Sequence, residues 1–280
     1  MTLFSKIVTL CKARMAWAAP YEWFHILCLV LSVAVGVWLC RRFPAPQDET
    51  VRRVVWCTAM LCLVLEVYKQ VTYSFHVEGD VVRFRYAWYV FPFQFCSTPM
   101  YVGLLAGITR GRVCACLMSY LATYATLAGV LVMAYPVDVL TDVIGVNVQT
   151  MVCHGSMISI GIFLLCSGYV KTTFAEFKKA IPVFLTVFLL AVGMNEAAYR
   201  LGVPEYGEFN MFYISPYGQP TLPVLSWIQA AFPTPVPQLA YLVLFSAMAY
   251  GLLWAFRGIN AVTARLKQGK NKEKFFQKRT

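Results

Sequence analysis

The amino-acid sequence predicts an all-α fold: a polytopic seven-transmembrane helix bundle with its N-terminus outside and its C-terminus cytoplasmic. Three observations lead there. The chain is 59% hydrophobic and only 13% charged, against about 25% charged in ordinary globular domains, so the outside of the fold must be apolar as well. Seven windows approach the roughly 20 apolar residues that one bilayer crossing needs. Basic residues gather on alternate connections, which sets orientation.

The elements follow in order. Residues 1–19 form an N-terminal segment in which Leu3, Phe4, Ile7, Val8, Cys11 and Met15 recur at helical spacing, as in a short helix lying in the membrane interface. Lys6, Lys12 and Arg14 interrupt it too closely for the apolar core of a cleaved signal. The seven-span domain covers residues 20–256. Its windows run through Tyr21–Cys40, Val54–Tyr73, Ala87–Ile108, Val113–Met133, Gln149–Gly168, Lys179–Tyr199 and Pro237–Phe256.

The second window is the weakest, because Glu66 and Lys69 interrupt it. The third holds Pro92 and Pro99, each of which removes a backbone donor and crowds the carbonyl four residues earlier. A kink is expected around Cys96, which shares a helical face with both prolines, and such breaks are tolerated where backbone lines a cavity. Gly103 and Gly107 form a small-xxx-small pair suited to close helix packing. The outer loop 201–236 is rich in proline and aromatic residues. It is too aromatic for disorder and reads as an ordered cap without regular structure. Residues 257–280 form a basic tail.

Of the 24 lysines and arginines, 17 fall on the connections between spans one and two, three and four, five and six, and on the tail. That side is assigned to the cytoplasm and the chain to the cell membrane as a multi-pass protein. The net charge of +11 comes largely from the tail, whose expected partner is anionic lipid. Without aromatic interleaving or a fold motif, a nucleic-acid role is rejected. The ten cysteines lie mostly within or at the ends of spans, where cysteine acts as a small apolar residue. Their spacing is not that of a metal site and no second histidine lies near His154 in the sequence, so neither a metal nor a cofactor is expected.

A polar set meets at one depth. Span two runs outward, placing Glu66, Lys69, Gln70 and Tyr73 in its outer half. Span three runs inward, placing Gln94 and Cys96 roughly 10–14 Å below its start at ~1.5 Å per residue. His154 lies one to two turns into span five, and Asn195 and Glu196 end span six. Ionisable groups at such depth are costly and mark sites, although a Glu66–Lys69 pair could equally be packing glue. His154 suits a proton acceptor, a metal ligand or an interhelical donor. With Cys96 in reach it could serve as general base to a thiol. Ser97 and Thr98 are alternative nucleophiles. Cys153 points about 100° away from His154 and is a poor partner for it.

Phe91-Pro92-Phe93-Gln94-Phe95-Cys96 resembles the Pro-Leu-His-Leu-Cys segment of the YwaF-like integral membrane proteins. Ala134-Tyr135-Pro136, Cys153-His154-Gly155, and Asn195 followed by Asn210-Met211-Phe212-Tyr213 and Pro216 are similar to that family's later landmarks. The resemblance spans about Trp88–Trp227, with Gln94 standing where the family often has histidine. Those proteins look like distant relatives of eukaryotic transmembrane phospholipid acyltransferases, and through them of androgen-induced membrane hydrolases. The resemblance implies lipid acyl chemistry, with a nucleophile carried by position to Cys96 and with His154 as its partner.

On this reading the protein is a lipid acyltransferase or acyl-lipid hydrolase that forms a covalent acyl-enzyme in an outer-leaflet pocket. Asn195 or Gln94 would stabilise the oxyanion and Glu66 would set the histidine tautomer. Lipid would meet the outer loop at Asn210, Phe212 and Tyr213. The rivals are a proton-coupled small-molecule transporter and a membrane scaffold. A polar path continuing through the inner half would favour transport; a closed outer pocket would favour chemistry.

Overall fold

The computed structural model of the chain describes residues 2–16, 18–79, 81–136, 139–203, 209–218 and 223–277. Helix α1 spans Leu3–Cys11, α2 Trp23–Arg42 and α3 Asp48–Ser74. A two-stranded antiparallel hairpin follows, β1 Phe75–Glu78 and β2 Val81–Phe84. Next come α4 Thr98–Ile108, then α5 Gly111–Tyr120 and α6 Thr126–Ala134, which a π turn over Leu121–Ala125 joins into one rod. The remainder is α7 Ile144–Cys166, α8 Phe174–Arg200, α9 Pro223–Ala231 and α10 Val236–Gln277.

Six helices among the described residues are long and apolar enough to cross a membrane: Trp23–Arg42, Asp48–Ser74, Gly111–Ala134, Ile144–Cys166, Phe174–Arg200 and Val236–Leu266. The expected third span is not a continuous helix, so six long helices stand where seven windows were expected. A single 3-10 turn at Trp88–Val90 gives way to irregular backbone, and only Thr98–Ile108 is helical. Eleven residues reach about 16 Å, roughly half the hydrocarbon thickness. Pro99 does not kink a passing helix; it sits in the first turn of a new one, where its missing N–H is not needed. Side chains satisfy part of the irregular backbone: the Tyr101 hydroxyl donates to the Pro92 carbonyl at 2.9 Å, and Gln70 Nε2 to that of Val90 at 2.8 Å.

Hydrogen bonds sort the helix ends into two layers. The Tyr68 hydroxyl donates to the Cys11 carbonyl at 2.6 Å, Ile144 N–H to Ala13 at 3.0 Å and the Tyr21 hydroxyl to Ala134 at 2.7 Å. The start of α2, the ends of α3 and α6, and the start of α7 therefore lie together with α1. At the other layer, Arg52 Nη1 donates to Gly107 at 3.4 Å and Asn260 Nδ2 to Leu165 at 3.0 Å. The start of α3, the ends of α4 and α7, and the later part of α10 meet there.

Two further expectations change. The 201–236 loop is not wholly irregular, since α9 lies within it; Pro204, Tyr206 and Pro220 are outside the described residues. Helix α10 continues 42 residues from Val236, well past the expected end at Phe256, while Lys278 and Arg279 are outside the described residues. Glycines set the closest approaches. A Cβ on Gly107 would fall 2.5 Å from that of Trp56 on α3, and one on Gly129 would fall 2.7 Å from the His154 carbonyl oxygen. The second contact packs α6 against the turn of α7 that carries the site histidine.

Candidate functional site

A cavity of about 230 Å³ lies between α3, the broken stretch before α4, the π turn and α7. Of the residues expected to form a site, Glu66, Lys69, Gln94, Cys96, Ser97, His154 and Tyr213 line it; Thr98, Asn195, Glu196, Asn210 and Phe212 do not. The convergence follows from helical spacing. On α3, Cys62, Glu66, Lys69 and Tyr73 recur on one face and all reach the cavity, whereas Gln70 turns to the opposite side of the Glu66 carboxylate.

His154 is 6% exposed. Its Nδ1 lies 2.7 Å from the Thr150 carbonyl oxygen one turn earlier on α7. A carbonyl only accepts, so Nδ1 carries the hydrogen and Nε2 is left as a bare acceptor. Among the described residues that buried Nε2 has no hydrogen-bond partner. His25 provides the contrast: its Nδ1 accepts from Tyr21 N–H at 3.0 Å and its Nε2 lies 2.9 Å from the Met133 carbonyl, so both ring nitrogens are satisfied. His25 is structural, and His154 is built differently.

Glu66 does not set the histidine tautomer, as expected from sequence; the Thr150 carbonyl does. The Glu66 carboxylate instead meets Lys69 Nζ at 2.9 Å, Gln70 Nε2 at 2.7 Å and Gln149 Nε2 at 3.4 Å. The Glu66 and Lys69 side chains are only 8% and 17% exposed, so they form an internal ion pair on the cavity wall. Lys69 retains two further N–H donors beyond the one given to Glu66.

The two amides expected as oxyanion donors have another task. Gln94 Nε2 donates to the Asn210 carbonyl at 2.9 Å while its Oε1 accepts from Phe212 N–H at 2.9 Å. Asn195 Nδ2 donates to the Met211 carbonyl at 3.0 Å while its Oδ1 accepts from Met211 N–H at 2.8 Å. Together they strap residues 210–212 against the bundle. Phe212, held at φ 60, is fully buried, with its ring 5.5 Å from Phe95 and 6.3 Å from Tyr241. Asn210 Oδ1 accepts from Ser215 N–H at 2.9 Å. Asn210 and Phe212 thus shape the loop, and of the three loop residues only Tyr213 reaches the cavity.

The remaining candidates separate cleanly. Thr98 is fully buried, with its hydroxyl 2.7 Å from that of Tyr120 and donating to Phe95 at 2.9 Å. Glu196 pairs with Arg200 at 2.6 Å and accepts from the Tyr217 hydroxyl at 2.6 Å, away from the cavity. Outside the spans, Lys12 Nζ lies 3.4 Å from His76 Nδ1. Burial, then the charges of Lys12 and Arg85, push the His76 value down, and burial with Arg85 does the same to Lys12.

Sequence reasoning missed Cys62, Gln149, Thr150 and Ser156, and set aside Cys153; all five line the cavity. Gln149 Nε2 lies 3.6 Å from Cys153 Sγ, and Cys62 Sγ 3.4 Å from Ser156 Oγ. The signal was present: Gln149, Cys153 and Ser156 recur at i, i+4 and i+7, a single helical face.

Fold and site together define a multi-span membrane protein with a cavity among its helices whose mostly apolar wall carries a few ionisable side chains. The chain belongs to the TMEM164 family, whose model matches residues 18–256 and so contains the whole cavity wall. No curated protein and no solved structure matches the chain, so neither adds an acyltransferase or a hydrolase to this family assignment.

Proposed function

We propose that the protein is a lipid acyltransferase or acyl-lipid hydrolase acting through an acyl-enzyme on Cys96. The observation that carries the reading is that His154, whose buried Nε2 has no hydrogen-bond partner among the described residues, lines the same cavity as Cys96. A buried polar atom without a partner is costly, and an imidazole held in one tautomer with its basic nitrogen free is the form a general base requires.

The steps balance with a phospholipid ester as acyl donor. Nε2 takes the Cys96 proton as sulfur attacks the ester carbonyl, and the collapsing tetrahedral intermediate releases the lipid alkoxide, which takes that proton back. A lysolipid hydroxyl or water then attacks the thioester, gives its proton to Nε2, and the proton returns to the departing thiolate. Lys69, with donors to spare, suits the developing oxyanion better than Asn195 or Gln94. Ser97 is the alternative nucleophile.

The transporter reading is less well supported. Towards the inner layer the lining residues are Val55, Ala59, Gly103, Leu121 and Ile160, with Thr58 the polar exception; a proton or solute path would need a more continuous polar wall. The same reading places the chain in the cell membrane with its N-terminus outside. The irregular stretch and α4 together complete a seventh crossing, and the basic tail rests against anionic lipid.

The test is mass analysis of Cys96 after incubation in vesicles of isotopically labelled phospholipid. Acyl mass is expected on Cys96, absent in Cys96→Ala and formed about 100- to 10,000-fold more slowly in His154→Ala. Near-normal acylation in His154→Ala removes the base. Transfer activity retained in Cys96→Ala and lost in Ser97→Ala moves the nucleophile, and acylation at neither residue ends the reading.

A further inference from the structure

A second hollow, of about 350 Å³, lies on the other side of the Glu66 carboxylate. It runs between the outer half of α3 and the stretch from Phe84 to Tyr101, and Leu63, Val67, Val71, Pro92, Met100 and Tyr101 are half of the residues that line it. Glu66 and Met100 line both this groove and the central cavity. The two spaces are therefore neighbours, divided by one carboxylate and one flexible thioether side chain.

The break in the third crossing makes the groove. A continuous helix through residues 91–97 would present a cylinder of side chains to α3. The irregular backbone instead leaves a slot beside it, braced open by Gln70. Gln70 Oε1 accepts from the Tyr86 hydroxyl at 3.0 Å, and Nε2 donates to the Val90 carbonyl at 2.8 Å and to Glu66 at 2.7 Å. The polar atoms at the groove edge are thus already engaged with one another, and the surface left for an occupant is hydrocarbon.

The groove opens towards lipid. Val64 and Val67 are 60% and 57% exposed on a helix long and apolar enough to cross a membrane, so their neighbours at that depth are acyl chains. A cavity of about 150 Å³ already holds benzene, and the groove volume is more than twice that. We propose that it holds one acyl chain of a bilayer phospholipid, which enters sideways from the membrane and passes Met100 so that its ester reaches the cavity. The inference rests on the acyl-transfer reading for what happens next, and it replaces entry beneath the outer loop with lateral entry. It makes the substrate a membrane-resident phospholipid rather than a water-soluble ester, with chain length measured along the groove towards Val71.

The experiment uses the full-length protein in nanodiscs containing a phosphatidylcholine with a diazirine at the end of one acyl chain. Photolysis should label the Leu63–Val71 and Met100–Tyr101 peptides above the lipid-facing Val30–Val35 stretch of α2. Val71→Trp, which puts an indole into the groove one turn past Val67, should cut groove labelling about tenfold, the cost of displacing two buried methylenes. Labelling of α2 should stay constant and so report that the variant is folded; Leu63→Phe at the opposite end gives a second, smaller obstruction. Equal labelling of groove and α2, or labelling indifferent to both substitutions, overturns the proposal. Cys96 acylation followed in the same samples separates the two ideas. An acyl-enzyme without groove labelling sinks lateral entry alone, whereas groove labelling without any acyl-enzyme upholds the lipid site and sinks the reaction.

Discussion

The Glu66–Lys69 pair allows a double-mutant cycle that separates packing from chemistry. Glu66→Gln keeps the side chain's shape and, through its one amide oxygen, the bond from Gln70, but it turns an NH2 towards the Gln149 donor and leaves the Lys69 ammonium, 17% exposed, without its counter-charge at 2.9 Å. Breaking one side of a buried pair costs about 3–5 kcal/mol. Lys69→Met is milder, because the carboxylate keeps its donors at 2.7 and 3.4 Å; the loss is that of one charged hydrogen bond, roughly 1.5–3 kcal/mol. The double variant Glu66→Gln/Lys69→Met holds no unpaired charge and should approach the parent, because a neutral pair of similar volume often matches a buried ion pair.

With the double variant near the parent, the expected coupling equals the two single costs together, about 4.5–8 kcal/mol, above the ~0.5–3 kcal/mol usual for contacting residues because each single leaves a buried group unpaired. Reversible unfolding in mixed micelles, read by tryptophan fluorescence, measures it. Additivity of the two single effects within ~0.5 kcal/mol would refute the internal pair. Cys96 acylation in the double variant is the second readout. If stability returns and acylation does not, Lys69 acts on the reacting lipid; if both return, the pair is only a brace.

Three further outcomes follow from the same geometry. Asn195→Ala strands the N–H of Met211 and leaves its carbonyl only the 3.4 Å bond from Ile214 N–H, which should cost about 1–3 kcal/mol and open residues 209–218 to protease; unchanged resistance refutes the strap. Tags placed after Thr280 and beside Pro216 should report opposite compartments, as the 17 of 24 basic residues on one side require, and a shared compartment refutes the orientation. His76 should titrate below the ordinary histidine value of about 6.5, because burial and Lys12 disfavour its cation. The unfolded chain then binds the proton more readily, so stability rises with pH through that region and is lost as pH falls. An NMR titration should show the depressed midpoint moving up in Lys12→Met, and a midpoint at or above the ordinary value would contradict the contact.

Depth was readable from the sequence because it depends only on counting along a helix. Once the basic residues orient the spans, Glu66, Lys69, Cys96 and His154 fall at one level, and a single cavity touches all four. Two things were not readable. The first is the break at 91–97. Taken singly, Pro92 and Pro99 predict a kink in a passing helix. Seven residues apart, with Pro99 in the first turn of α4, they instead end one short helix and start another. The gap they leave is what the lateral groove requires.

The second is the direction of the side-chain amides. Gln94 and Asn195 lie at the right depth to meet a substrate, and as residue types they could have served as donors. Residues 210–212, however, carry backbone N–H and carbonyl groups into an apolar setting outside any long helix, and those groups need partners. Gln94 and Asn195 supply them, so the loop claims donors that the sequence appeared to offer the substrate. Glu66 is claimed likewise by Lys69, Gln70 and Gln149. Among the described residues three buried side-chain polar atoms have no hydrogen-bond partner, and of these only Nε2 of His154 belongs to a residue that lines the cavity. The fold gives that imidazole nitrogen no partner while it engages Glu66, Gln70, Gln94 and Asn195, and that surplus, beside the spare donors of Lys69, is the physical reason to look there for chemistry.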